Sequence, residues 1–347
     1  MSSSRTIYYL PFRDSVQVLA SYVVALALFF FLAVPQASAQ ADLQFWNEGT
    51  AKERIIRFVE SVTHEGSPDY LPPEQRVAVF DNDGTLWAEK PVPFEFMFAL
   101  DEVKRIIKAN PTLKEKEPFK SIADNDLQNL ASMGKTAVAQ IMALTHADMT
   151  TDEFSQRVEN WINSAKHPKR GVRYTDLVYQ PQLELLDFLR KNGFKTYIVS
   201  GGGIEFMRVF AEKIYGIPPE RVIGSSGKVE YRLDEKGKPY LFKQAEMEFV
   251  DDGPGKPVAI NHFIGRQPVI AVGNSDGDLQ MLQYTMGGSA PHLAIYIHHD
   301  DAEREYSYDR TDKLAKLDRG LDQAAADDWL VVSIKRDWMS VFSQAER

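Results

Sequence analysis

The chain of 347 residues contains no cysteine. Disulfides, cysteine-ligated zinc and thiol catalysis are thereby excluded, while the redox compartment is left open. Positive charge is in short supply: 40 Lys and Arg stand against 49 Asp and Glu, a formal net charge of −9. A general nucleic-acid binder normally shows a basic surface, so no nucleic-acid partner is expected. Beyond residue 39 no apolar run is long enough to cross a bilayer, and neither an internal repeat nor a low-complexity tract is visible. What remains is ordinary globular composition, 44% hydrophobic and 26% charged. The length suits one large α/β domain with an inserted cap, or two medium domains.

The N-terminus has a distinct pattern. Arg5 and Arg13 precede an almost uncharged apolar run from Val16 to Val34, followed by Ala37-Ser38-Ala39. A positive start, an apolar centre and a small-x-small site together predict a secretory signal peptide over residues 1–39, cleaved after Ala39. Export to the periplasm or the medium follows as an expectation, with no stable membrane insertion after cleavage. The alternative is an uncleaved anchor, because at about 1.5 Å per residue the run is just long enough to span a bilayer.

Residues 40–75 are expected to form an N-terminal arm. It has one amphipathic stretch at Ile55, Ile56 and Val59, then turn signals at Gly66-Ser67-Pro68 and Pro72-Pro73. Arg76-Val77-Ala78-Val79-Phe80 is a short apolar run with β-branched residues and predicts a buried strand. From Trp87 to Asp176 the spacing is mostly helical, as in Phe94, Phe96, Met97, Leu100, Val103 and Ile106 and in residues 125–145 and 152–163. Afterwards the pattern alternates. A helix around Leu185 stops at Gly193. A strand follows over residues 194–199, then a helix carrying Met207, Phe210 and Ile214. Residues 228–242 predict a hairpin. Gly255-Lys256-Pro257 opens a short helix, and strands follow at residues 269–272 and 293–297. Alternating strands and helices predict a Rossmann-like, mainly parallel sheet. The core is expected over residues 76–86 and 177–347, with a helical cap inserted at 87–176.

Three of these strands end in polar, glycine-rich turns, and in open parallel sheets such ends converge on the ligand crevice. The first turn is Asp81-Asn82-Asp83-Gly84-Thr85. A carboxylate at a strand end can attack phosphorus in line, and a second one two residues on can protonate the leaving oxygen. Neighbouring carboxylates repel, so one holds its proton more tightly; that lets Asp83 carry a proton while Asp81 stays ionised. An ordinary Asx turn would suit the same residues.

The run Phe80-Asp81-Asn82-Asp83-Gly84-Thr85-Leu86 resembles the first motif of the haloacid dehalogenase superfamily, in the form typical of its phosphatases. Val199-Ser200-Gly201-Gly202 resembles the second motif, Lys256 the third and Gly273-Asn274-Ser275-Asp276-Gly277-Asp278 the fourth, in that order along residues 77–282. The phosphoserine-phosphatase-like branch looks closest. The resemblance implies Asp81 as nucleophile and Asp83 as acid and base. It places the substrate phosphate against Thr85, Ser200, Gly201 and Lys256. It places Mg²⁺ against Asp81, Asp83, Asn274 and Asp278. The family usually carries an acid where this chain has Asn274. Which of Asn274, Asp276 and Asp278 meets the metal is therefore open. The implied activity is release of phosphate from a small phosphomonoester through an aspartyl-phosphate. A phosphotransferase or phosphomutase, or a non-catalytic phosphate-ester binding protein, are the alternatives; Asn274 favours the last.

Other polar groups have two readings. His298-His299-Asp300-Asp301 could suggest a metal site but is expected to be a polar loop on the cleft rim. Glu89 and Lys90 stand where they could meet a leaving group, or equally be solvated loop charges. The aromatic stretch from Phe94 to Phe98 is expected in the cap core.

Overall fold

The computed structural model describes residues 43–343, apart from the side chains of Leu127, Ala131 and Lys135. The expected signal peptide at residues 1–39 lies outside the described residues. Among those described, no helix is long and apolar enough to cross a membrane.

Among the described residues, nine strands form one mixed sheet. In chain order they are β1 (Val77–Phe80), β2 (Met149–Thr150), β3 (Lys195–Gly203), β4 (Val222–Leu233), β5 (Pro239–Phe249), β6 (Ile270–Gly273), β7 (Leu293–Asp300), β8 (Ser307–Tyr308) and β9 (Leu330–Ser333). The spatial order is β2-β5-β4-β3-β1-β6-β7-β8, with β9 also on β7. From β4 across β3, β1, β6 and β7 to β9 every pairing is parallel. β5 pairs antiparallel with both β4 and the short β2. The chain leaves β1 for β3 on one side and later returns to β6 on the other. The switch point of this doubly wound α/β sheet therefore lies at β1.

The sequence explains why the sheet is covered on both faces. Along β1, Ala78 and Phe80 enter one apolar cluster, Val77 and Val79 the other. In β6, Ile270 and Val272 join the first and Ala271 the second. The period-2 alternation of strand side chains puts apolar groups on both sides at once, hence the continuous apolar runs. The helix Thr50–Thr63 lays Ile55, Val59 and Val62 into the first cluster beside Leu43 and Trp46. The expected arm is thus part of the core packing from residue 43 onward.

Between β1 and β3 lie the helices Phe94–Ala109, Phe119–Ala123, Leu127–Ser132, Gly134–His146 and Thr151–Ser164. The last starts in a capping box. Thr150 Oγ1 accepts from Glu153 N at 3.1 Å, and Thr150 N donates to Glu153 Oε2 at 2.9 Å. This insertion has its own small cluster around Leu100, Val103, Ile122 and Ile141. It meets the sheet through β2, which pairs with β5, and through aromatic rings. Phe98 packs edge-on against Trp161 and Phe154, at 5.6 and 5.9 Å, and lies 5.7 Å from Phe206 of the helix Ile204–Arg208.

Two expectations need correction. The helix anticipated across Met207, Phe210 and Ile214 is two short ones, Ile204–Arg208 and Ala211–Tyr215. The break at Phe210 stacks that ring on Trp87 at 4.6 Å. The His298–Asp301 segment is not a rim loop. β7 continues to Asp300, held by β8 and β9, and His299 is buried. The sequence reading also assigned no elements beyond residue 300, where β8, β9 and the helices Arg319–Ala326 and Ile334–Asp337 lie.

Phe98→Ala should cost about 3–5 kcal/mol by leaving a void between insertion and sheet. Urea unfolding measures it. A loss below about 1 kcal/mol would place the anchoring elsewhere.

Candidate active site

The ends of β3, β1 and β6 lie side by side, so the three glycine-rich segments converge; the second, expected as a turn after residue 199, instead continues β3 to Gly203 with a register shift. β1 delivers Asp81, whose N–H donates to Val272 O of β6 at 2.9 Å. The chain then folds back on itself. Thr85 N and Leu86 N donate to Asn82 O at 3.1 and 2.8 Å, and Gly84 N to Trp87 O at 2.8 Å. Gly84 has φ +73°, and a Cβ there would stand 2.1 Å from Asn274 Nδ2 and 2.2 Å from Glu89 Oε1. Only glycine tolerates both that dihedral and that contact. Asp83 turns one oxygen to Trp87, accepting from the indole Nε1 at 2.9 Å. A Cβ on Gly202 of the second turn would stand 3.5 Å from its other oxygen.

Lys256 joins these turns. It is 1% exposed, and its ammonium donates to Asp81 Oδ1 at 2.7 Å, Asp278 Oδ1 at 2.6 Å and Val199 O at 2.9 Å. Three donors meet three acceptors, one on each of three chain segments. The lysine starts the helix Gly255–Ala259, and a Cβ at Gly255 would lie 2.2 Å from Val250 O, so the tight bend before it requires glycine. Burial works against the ammonium charge, but Asp278, Asp81 and Asp251 outweigh it and hold Lys256 protonated.

The two acids of the first turn are placed differently. Burial and then the charge of Asp278 push Asp81 up to about 7, although Lys256 and the Ser200 hydroxyl favour its ionised form. Asp83 is pushed well above the usual carboxylate range by burial, then by Asp81 and Glu89, with no cation bonded to it. Both carboxylates are thus raised, but Asp81 is paired with an ammonium that partly offsets its burial and Asp83 is not.

The remaining predicted residues separate into those brought together and those that are not. Ser200 is buried beside Asp81, and its Oγ accepts from Gly202 N at 3.4 Å. Gly201 is exposed at the same strand end, its carbonyl accepting from Ser225 Oγ at 2.8 Å. Thr85 is buried, its hydroxyl donating to Asn274 Oδ1 at 3.2 Å. In the fourth turn, Asp278 has both oxygens engaged: Oδ1 by Lys256, Oδ2 by Asn274 N and Ser275 N at 2.9 and 3.0 Å. It orders the loop and the lysine instead of presenting an open oxygen to a metal. Asp276 points away, accepting from Asp318 N and Gly320 N at 3.0 and 2.9 Å at the start of the helix Arg319–Ala326. Asn274 alone of the three faces the first turn.

Glu89 and Lys90 are not solvated loop charges; both are buried. Glu89 Oε1 accepts from Asn274 Nδ2 and Tyr308 Oη, both at 2.7 Å. Lys90 pairs with Asp312 at 2.6 Å and lies 4.0 Å from the centroid of the Tyr308 ring. Behind the first turn, His299 Nε2 meets Gly84 O at 2.8 Å, and its Nδ1 meets Glu305 Oε2 at 3.0 Å. Sequence reasoning missed His299, Glu305 and Tyr308 as parts of the site. The signal was the polar His298–Asp301 run at a strand end, but nothing in the spacing showed that the strand continues through it.

The resemblance implies magnesium, and the donor set bears on whether it fits. Among the described residues no three or more His, Cys, Asp or Glu side chains form a metal-binding group. The turns offer one carboxylate, Asp81, and the amide oxygen of Asn274. Such an oxygen-only, incomplete set suits Mg²⁺, which keeps several waters and takes one or two carboxylates together with substrate phosphate. The buried acids Asp81, Asp251 and Asp278 also outnumber Lys256, so an added cation is electrostatically compatible.

A family model of haloacid dehalogenase-like hydrolases matches residues 78–283, more than half of the chain, and the chain belongs to that family. No curated protein matches the sequence. Among solved structures the chain is similar to a conserved protein of unknown function from Anaerococcus prevotii, at 17% identity over 84% of this chain and 93% of that one, with a TM-score of 0.47. A phosphoserine phosphohydrolase-like protein from Francisella tularensis matches at 18% identity over 72% and 98%, with a TM-score of 0.35. A probable phosphoserine phosphatase from Vibrio cholerae matches at 15% identity over 73% and 65%, with a TM-score of 0.36.

Gly84→Ala is expected to displace both Asn274 and Glu89 and to lower kcat/KM by roughly 100-fold, the scale of a misplacement near 1 Å. Steady-state kinetics on a variant shown folded by circular dichroism checks this. An unchanged value would mean that the turn relaxes without cost.

Proposed function

We propose that this hydrolase is a phosphatase that releases phosphate from small phosphomonoesters through a covalent aspartyl-phosphate on Asp81. The phosphoserine-phosphatase-like branch is the part of the family it fits best. The observation that carries this reading is the asymmetry of the acid pair: burial raises both, but Asp81 is bound to Lys256 at 2.7 Å, while Asp83 is bonded to an indole and is pushed well above the carboxylate range.

Asp81 attacks phosphorus as the P–O bond to the alcohol breaks, and Asp83 passes its proton to the departing oxygen. Asp83, now ionised, takes a proton from the water that attacks the acyl phosphate. Phosphate leaves, Asp81 is regenerated as carboxylate, and both acids return to their starting states. Lys256, the Ser200 hydroxyl and backbone N–H groups of the first two turns offset the charge on the phosphoryl oxygens. Magnesium, held by Asp81, the Asp83 backbone carbonyl and Asn274, would add positive charge at those oxygens. The helical insertion between β1 and β3 is the cap of this reading. It covers the cleft through Phe94, Phe98 and Glu95, whose Oε2 accepts from Gly203 N at 2.6 Å.

The activity test is phosphate release from p-nitrophenyl phosphate and a panel of phosphomonoesters, with Mg²⁺ and with EDTA. Asp81→Asn should abolish release, and Asp83→Asn should lower kcat by about 10²–10⁴-fold. Turnover that survives Asp81→Asn would rule out the covalent route.

The protein is further proposed to be exported, on the strength of the Arg13, Val16 to Val34 and Ala37-Ser38-Ala39 pattern. N-terminal sequencing of the mature protein is expected to begin at Gln40. A start at Met1 in a membrane fraction would favour the anchored form.

A further inference from the structure

Asn274 is neutral and buried, yet it is the one side chain of the fourth turn that faces the cation position proposed above. Its orientation follows from its neighbours. A carboxylate only accepts and a hydroxyl can donate, so Nδ2 faces Glu89 at 2.7 Å and Oδ1 faces Thr85 at 3.2 Å. Glu89 is held in turn. It is 5% exposed, and its Oε1 also accepts from Tyr308 Oη at 2.7 Å, on a ring stacked on His299 with centroids 4.3 Å apart. The contact is built in close against the acid turn, because a Cβ on Gly84 would strike Nδ2 and Oε1 alike, at 2.1 and 2.2 Å.

We propose that Glu89 is the outer carboxylate of the cation site, a positioning residue that acts through Asn274 and supplies the negative charge the fourth turn lacks. An amide that donates from Nδ2 to a carboxylate becomes a better donor at its carbonyl oxygen, and the hydrogen bond fixes which atom points at the metal. This is how carboxylates behind metal-bound imidazoles work. Glu89 and Asn274 together carry the charge of one acid, divided between an inner amide and an outer carboxylate. Tyr308 keeps the carboxylate from turning away. The inference rests on the magnesium-assisted reading of the site.

The test is calorimetric titration of Mg²⁺ into full-length mature protein stripped with EDTA, so the readout is affinity and not turnover. Glu89→Gln should weaken binding about tenfold or more. The double variant Glu89→Gln with Asn274→Asp exchanges the amide and the carboxylate across the same hydrogen bond, and should recover the wild-type affinity or exceed it. Tyr308→Phe removes one hydrogen bond and little volume; it should weaken binding in the same direction, which keeps the test open if Glu89→Gln fails to fold. Wild-type affinity in folded Glu89→Gln or in Tyr308→Phe would overturn the inference while leaving the metal-assisted reading intact. A double variant as weak as the single one would also overturn it. Wild-type protein that binds no Mg²⁺ would overturn both.

Discussion

The buried ammonium of Lys256 is the constraint on which the rest of the site depends. It is shared by Asp81 and Asp278, in the turns after β1 and β6, and by Val199 O within β3. Those strands are neighbours in a parallel sheet, so their ends would crowd two carboxylates and a carbonyl into one small apolar space. Without a cation that arrangement would be strongly unfavourable, because removing one partner of a buried pair leaves an uncompensated charge costing about 3–5 kcal/mol. With the lysine, the same crowding fixes the position of the nucleophile.

The acid pair then divides by environment. Asp81 lies on the lysine side, Asp83 on the side of Trp87, Gly202 and Glu95, away from any bonded cation. Burial raises both groups, Asp81 to about 7 and Asp83 well above the carboxylate range, and only Asp81 has an ammonium that favours its ionised form. The aromatic packing takes part in this, since Trp87 both stacks on Phe210 and donates to Asp83. Core packing between the insertion and the sheet is therefore continuous with the positioning of the acid.

Residues 299–320 reach the site from behind. Asp276 ties the fourth turn to the start of the helix Arg319–Ala326, and His299 supports the carbonyl of Gly84 with Glu305 beneath it. Tyr308 and Asp312 bury Glu89 and Lys90. These contacts turn a pair of charges that sequence left undecided into a built part of the cleft wall.

The sequence by itself determined the parallel strands, because continuous apolar runs bounded by glycine and aspartate have few other solutions, and β1, β3 and β6 stand within a few residues of their expected positions. It singled out Asp81, Asp83, Ser200 and Lys256, which the fold brings together, the lysine only through its order relative to the other motifs. Tertiary structure decided what spacing does not encode. The fourth turn holds three candidate oxygen side chains within five residues, and only the surrounding donors show that Asp278 serves the lysine, Asp276 a distant helix and Asn274 the first turn. The same holds for His299 and Glu89, whose partners lie 215 and 185 residues away. Burial and long-range hydrogen bonds are properties of the folded chain, so a charged residue in a loop and one in a cleft wall look alike until the chain has closed around them.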